Sequence, residues 1–180
     1  MVDDSHVVRP LVETDLDAVA QIEQNSRPSP WSHKQFAAEL SAANSYPFVL
    51  LINNKMAGYV ILWLIADEIQ IQNIVVAASH RGKRLGKLLL NIALNQGLEG
   101  GATSAILEVR ESNEPAIGLY RKYQFEVVGR REKYYRNGEN ALLMTAGPFE
   151  TPDTLAAYKA FIINQQQALK KSLQFVFAHK

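Results

Sequence analysis

Cysteine is missing from all 180 residues. Its absence excludes disulfides, thiolate metal sites and a cysteine nucleophile. A surplus of one charge is missing as well: 19 basic residues stand against 18 acidic ones, for a net charge of +1. A dedicated nucleic-acid binder would carry a marked basic excess. No apolar run approaches the roughly 20 residues that span a bilayer. The start, Met1-Val2-Asp3-Asp4, is acidic and lacks the apolar core of a signal peptide. The four histidines are scattered, with no metal-ligand spacing, so no metal is assigned. These absences point to a cytoplasmic, soluble protein without nucleic acid or membrane as a direct partner. The 47% hydrophobic content suffices for a real core, and the length suits one domain with room for an appendage.

The chain is organised around residues 72–90. Gln72 to Val76 is rich in β-branched residues and reads as a buried strand. A helix reads from about Leu85. Between them lies a short basic turn with Arg81, Gly82, Lys83, Arg84, Gly86 and Lys87. The first N–H groups of a helix lack partners inside it, and the helix dipole favours an anion there. Glycine lets a ligand approach the backbone. Strand, basic turn and helix therefore suit a pyrophosphate, although a solvated basic turn is the plainer alternative. The spacing fits neither a Walker A loop nor a dinucleotide-binding glycine fingerprint.

Elsewhere the pattern is legible element by element. Val7-Val8 is a first strand, and Thr14 is positioned to cap a helix over residues 15–23. Two prolines make 27–31 a loop, after which Ser32 and Gln35 form a capping-box pattern. Residues 46–52 and 56–65 read as a hairpin, and residues 66–68 turn into the strand that leads to the basic turn. The helix over 85–98 stops at Gly100-Gly101. In the strand 104–110, alternation places Ala105, Leu107 and Val109 on one face and Ile106, Glu108 and Arg110 on the other. Asn113 caps a helix whose face carries Ala116, Leu119, Tyr120 and Tyr123. Residues 125–128 read as a strand, and 130–135 pairs with 141–145 around Asn137-Gly138. The order β-α-α-β-β-β-α-β-α-β-β implies an α/β fold, a mixed sheet with helices on both faces.

These residues resemble the GCN5-related N-acetyltransferases, in which Gln/Arg-x-x-Gly-x-Gly/Ala binds the acetyl-CoA pyrophosphate. The matching stretch is Arg81-Gly82-Lys83-Arg84-Leu85-Gly86. A narrower resemblance is to the RimI type, which acetylates the N-terminal alanine of a small-subunit ribosomal protein. It is carried by Pro30-Trp31-Ser32 with Phe36, by Leu107-Glu108-Val109-Arg110 with Ser112-Asn113, and by Leu119-Tyr120, Phe125, Tyr134-Tyr135 and Gly138-Glu139. The match spans about residues 6–146. It departs at Arg84 and Gln124, where the family usually has glycine, and at Asn140, usually aspartate.

The resemblance implies an acyl-CoA N-acyltransferase fold over residues 1–147; outside it, residues 148–180 read as a C-terminal helical extension. It implies acetyl-CoA as cosubstrate, held by the turn with Leu85 and Lys87, by the backbone of Ile74, Val75 and Val76, and by Asn113. It makes Glu108 the general base for the acceptor amine and Tyr120 the acid that protonates the departing thiolate. Read from their own positions, Glu108 could equally pair with Arg110 or a lysine, Tyr120 could be core, and Asn113 could be only a helix cap. Trp31, Tyr134 and Tyr135 fall in segments that would flank an acceptor peptide. Without cysteine, direct transfer in a ternary complex is favoured. The acceptor implied is the N-terminus of a ribosomal protein. Another protein N-terminus, a lysine or a small amine would use the same chemistry, and a non-catalytic acetyl-CoA-binding or ribosome-associated module is the reading from another class. The extension begins with Thr151-Pro152 in cap and first-turn order. Its stripe of Leu155, Tyr158, Ile162, Leu169, Leu173 and Val176 must be buried, against its own domain or, as a dimer arm, against a partner.

Overall fold

The β-branched and apolar segments pair into one eight-stranded mixed sheet in the computed structural model, which describes residues 5–178. The acidic start of the chain lies outside the described residues. In chain order the elements are β1 (His6–Pro10), α1 (Leu16–Ser26), α2 (His33–Ser41), β2 (Ser45–Ile52), β3 (Lys55–Ile65), β4 (Glu68–Val76), α3 (Leu85–Glu99), β5 (Ser104–Arg110), α4 (Glu114–Arg121), β6 (Glu126–Arg131), β7 (Ala141–Ala146), α5 (Pro152–Leu173) and β8 (Val176–Phe177). Across the sheet the order is β6-β7-β5-β4-β3-β2-β1-β8. The pairs β4–β5 and β1–β8 are parallel and the others antiparallel. Helix α3 is the crossover between the parallel strands β4 and β5, as such a pair requires.

Each sheet face carries its own core. On one, α3 and α5 cover Leu50, Val60, Leu62, Ile69, Ile71 and Leu107. On the other, α1 and α2 bury Leu16, Val19 and Phe36 against Tyr59, Ile61 and Val75. Helix α3 is apolar nearly all round because it lies between the sheet and α5. Its Gly97 allows the closest approach: a Cβ there would lie 2.2 Å from Ile69 Cγ1.

The caps at Ser32, Asn113 and Thr151 form as their sequences dictate. Each side chain accepts a backbone N–H in the first turn of its helix. Thr14 does not act as a cap. It lies inside a short 3₁₀ turn, Glu13–Asp15, and the Asp15 carboxylate instead accepts the Val12 N–H at 3.0 Å while holding Arg9 at 2.6 Å. A charge-assisted pair outcompetes the weaker hydroxyl cap. The readings of residues 125–128 and 130–135 as separate strands are also corrected. They merge into one strand, β6, whose register skips Val128 in a bulge, while residues 132–140 form a loop containing Tyr134 and Tyr135.

The C-terminal stripe is buried against its own chain. Tyr158, Ile162 and Leu169 join the core beneath α3, with Leu155, Phe161 and Leu173 packed around them. Asn91 Nδ2 donates to the Ile162 carbonyl at 3.0 Å, and the Tyr158 hydroxyl to the Tyr123 carbonyl at 3.1 Å. Val176 leaves the stripe: α5 ends at Leu173, and Val176 sits exposed on β8 beside β1. Among the described residues no helix is long and apolar enough to cross a membrane.

Candidate functional site

The parallel ladder between β4 and β5 ends at Ile71 opposite Leu107. Beyond that pair the two strands part, and a cleft of about 1250 Å³ opens between them. A bulge in β4 prepares this opening. Against β3 the register jumps from Ile61↔Asn73 to Leu62↔Ile71, leaving Gln72 unopposed. The bulge also breaks the alternation of the strand. Ile69 and Ile71 are buried under α3, whereas Asn73 and Val75 are buried on the face of α1 and α2. The Ile74 and Val76 carbonyls consequently face the cleft, where Arg27 Nη2 and Arg81 Nε approach them at 3.4 and 3.2 Å. The Val75 carbonyl points at β3, 2.6 Å from where a Cβ on Gly58 would lie. Of the three residues proposed for backbone contact, Ile74 and Val76 thus present their carbonyls to a ligand and Val75 does not.

The basic turn forms the cleft's next wall. Gly82 is left-handed, with φ of +78°, and open space lies where a side chain would be. Arg84, the N-cap of α3, is also left-handed at φ 63°, which explains why glycine suits this position. The first i→i−4 bond of α3 runs from the Leu88 N–H to the Arg84 carbonyl, so the N–H groups before it are the helix's open donors. A Cβ on Gly86 would meet its nearest neighbours, Leu119 Cδ2 and Val76 Cγ2, at 3.6 and 3.9 Å. Packing alone therefore does not demand glycine there, and its bareness leaves the backbone open to the cleft. Leu85 is buried in the core, so only its backbone is available. Lys83 does not line the cleft, whereas Arg81, Gly82, Arg84, Leu85, Gly86 and Lys87 do. Burial first, and then the nearby Arg84 and Lys122, hold the Lys87 ammonium below its ordinary pKa. Asn113 lines the opposite wall while its Oδ1 caps α4 at 3.3 Å, so capping does not remove it from the cleft.

A second, smaller cleft of about 470 Å³ opens on the other side of the same gap, reaching Trp31, Gln70, Gln72 and Tyr134. The two clefts share Arg27, Ile74, Glu108, Arg110, Tyr120 and Tyr135. Alternation along β5 behaves as read: Leu107 and Val109 enter the core, and Glu108 faces the gap. Its carboxylate pairs with Arg131 Nε at 2.9 Å, rather than with Arg110 or a lysine. The neighbouring Glu108 carboxylate, and then burial, raises the Tyr134 pKa. Tyr120 is largely buried, beside Phe125, and still lines both clefts. Burial pushes its hydroxyl up to about 12, with Arg27 pulling the other way.

Several residues at this junction escaped the sequence reading. Arg27 is held by Glu23, which is fully buried and lies 3.3 Å from Arg27 Nε. The same carboxylate accepts from the Tyr59 hydroxyl at 2.6 Å and from the Trp31 N–H at 3.1 Å. Arg110 lies 3.8 Å over the Tyr135 ring and pairs with Glu139 at 2.7 Å. These contacts fix Trp31 and Tyr135 from behind. Glu23 is a local partner of Arg27, four residues away, but what places Arg27 in the cleft is Asn73 and Ile74 on β4, 46 and 47 residues away.

Residues 16–125 match the family model described as Acetyltransferase (GNAT) family. The chain is 41% identical over 140 residues to a putative ribosomal protein bS18-alanine N-acetyltransferase of Bacillus subtilis, covering 76% of this chain and 92% of the relative. It is 34% identical over 142 residues to the ribosomal protein bS18-alanine N-acetyltransferase of Escherichia coli K12, covering 77% and 95%. The crystal structure of the Escherichia coli enzyme of that description superposes with a TM-score of 0.73 at 33% identity, covering 81% of this chain and 99% of that one.

Proposed function

The chain belongs to the GNAT acetyltransferase family, and from that premise we propose that it is an acetyl-CoA-dependent transferase that acetylates the N-terminal alanine of ribosomal protein bS18. The observation that carries the reading is the meeting of two clefts at Glu108 and Tyr120. One cleft offers a phosphate-binding turn and an unpaired strand edge, and the other is framed by aromatic side chains. Residues 5–147 supply this machinery, and residues 148–178 form an extension docked on it.

The larger cleft fits acetyl-CoA. The turn Arg81–Lys87 receives the pyrophosphate, with Gly82 and Gly86 leaving its N–H groups accessible. The carbonyls of Ile74 and Val76, and the Asn113 side chain, bind the pantetheine arm. Acetyl-CoA supplies the acetyl group as a thioester. The chain's own residues do the rest. A peptide α-amine has a pKa of about 7.7–8.0, so a large share of it is protonated at neutral pH. The Glu108 carboxylate removes that proton, directly or through a water. Arg131 holds the carboxylate at the mouth of the smaller cleft, which Tyr134 also lines. The freed amine attacks the carbonyl carbon, the carbon–sulfur bond breaks, Tyr120 gives its proton to the departing thiolate, and the extra proton on the nitrogen leaves through water as the amide forms, restoring the Tyr120 hydroxyl. A hydroxyl held near 12 is a reliable donor because it stays protonated across the working range. Trp31, Tyr134 and Tyr135 flank the acceptor's first residues.

The test is acetylation of a peptide carrying the bS18 N-terminus, compared with the same peptide blocked at its α-amine. Transfer to the free peptide alone supports the reading. Equal transfer to both moves the acceptor to a lysine. Transfer only to small amines removes the peptide reading altogether.

A further inference from the structure

The larger cleft has a wall that lies outside the family match. Ala168, Leu169 and Ser172 of α5 line it together with the basic turn, whereas the family model ends at residue 125. The helix reaches the turn because it runs antiparallel to α3. Asn91 meets Ile162. Seven residues onward along α5, about 10 Å, is Leu169, and seven residues back along α3 is Arg84. Leu169 is buried and anchors the helix, while Ala168 and Ser172, one turn apart, are exposed on the cleft side. Ser172 Oγ is already turned back onto the Leu169 carbonyl. The surface they present is small and bare.

This end of the cleft is rich in positive charge. Lys87 and Lys122 line it beside Arg84, and none of the three makes an ion pair with a described residue. Burial first, and then repulsion from Arg84 and Lys122, lowers the Lys87 pKa. The acidic Glu114 of the same cleft stands at the other end of α4, about 12 Å along the helix from Lys122. The part of the cleft beside Arg84, Lys87 and Lys122 is therefore a cationic recess with one wall from α5.

We propose that this recess, formed by Lys87, Lys122 and the α5 turn at Ala168 and Ser172, binds the adenosine 3′-phosphate of the coenzyme. The proposal rests on the coenzyme reading of the larger cleft. A pyrophosphate at the turn and a thioester at Glu108 and Tyr120 leave the nucleotide on this side. Lys122, which stands outside the pyrophosphate turn and makes no ion pair with a described residue, gains an anionic partner from a phosphate dianion placed beside Lys87. The extension thereby acts as part of the binding site, and the chain discriminates between coenzymes by that one group.

Calorimetry with CoA and with 3′-dephospho-CoA tests this on the full chain. Wild type should bind CoA at least about tenfold more tightly, the size of one charge-assisted contact. Ala168→Glu places a carboxylate in the recess without touching the core, and it should weaken CoA more than dephospho-CoA, removing most of that preference. Lys122→Gln should reduce the preference in the same direction. Equal affinity of wild type for both ligands overturns the proposal, as does a preference that survives Ala168→Glu intact. Failure of both ligands to bind would instead refute the coenzyme reading beneath it.

Discussion

Arg84→Gly should make the protein more stable and the coenzyme bind more weakly, two opposite effects from one substitution. Arg84 holds φ at 63°, a region that costs an L-residue about 1–2 kcal/mol. Glycine removes that strain but gives back about 0.5–1 kcal/mol through the freedom of the unfolded chain. The net gain is about 0.5–1 kcal/mol, which for a chain of this size raises the melting temperature by about 1–4 °C. Coenzyme affinity should fall, because a cation leaves the phosphate turn. A charge-assisted contact contributes about 1.5–3 kcal/mol when well formed, and less when exposed, so a loss of about three- to tenfold is expected. The affinity should also become less sensitive to salt. Gln124 provides the internal control. It is left-handed to nearly the same degree, φ 65°, just after α4 and outside both clefts. Gln124→Gly should give the same rise in melting temperature with no change in affinity. Differential scanning calorimetry and titration calorimetry on both variants read the two effects. If Arg84→Gly binds acetyl-CoA as wild type does, the cation plays no part in the turn. If Gln124→Gly is not stabilised, the strain argument fails.

Other outcomes follow from the junction and its supports. Glu108→Gln should lower the rate by about 10²–10⁴ with coenzyme affinity nearly unchanged, and Tyr120→Phe should lower it with the fold intact, as steady-state kinetics and thermal melts would read. Because the Tyr120 hydroxyl sits near 12, the wild-type rate should climb through the acceptor amine's own pKa near 8 and hold well beyond it; a decline by about pH 9 would contradict Tyr120 as the donor. Glu23→Leu removes the carboxylate that holds Arg27, Tyr59 and the Trp31 N–H. It should cost about 3–5 kcal/mol in chemical denaturation, and a change under 1 kcal/mol would show that the network carries no weight. Glu139 is held at a pKa of about 2 by Ser112 and then Arg110. Its folded value lies below its unfolded one, so its contribution is present above about pH 4.5 and fades as pH falls toward 2. The stability difference between wild type and Glu139→Gln should follow that window, and a difference that is constant with pH would contradict it.

Legibility in the sequence followed the range of the interactions. The caps at Ser32, Asn113 and Thr151 involve neighbours three residues apart, so the sequence contains both partners. The turn around Gly82 and the alternation that turns Glu108 out of the core are local for the same reason. Thr14 misled because its competitor, Asp15, gains a charged partner on β1 that no helix rule weighs. The bulge at Gln72 exists only against β3, and it decides which carbonyls face the cleft. Arg27 has one local partner, Glu23 four residues away, but its place in the cleft was invisible because Asn73 and Ile74 meet it only after the sheet has formed. The burial of α5 was a choice the stripe posed and packing under α3 decided, but its place in the cleft wall depends on how far the helix runs along α3.

The most direct measurement of the central claim is mass spectrometry of ribosomal protein bS18, bearing a free N-terminal alanine, after incubation with this chain and acetyl-CoA. The account predicts one added acetyl group, located by fragmentation on the alanine α-amine, and none on lysine side chains, with the yield falling sharply for Glu108→Gln. An unmodified alanine alongside acetylated lysines, or an unmodified protein under conditions where the chain consumes acetyl-CoA on a small amine, would contradict it.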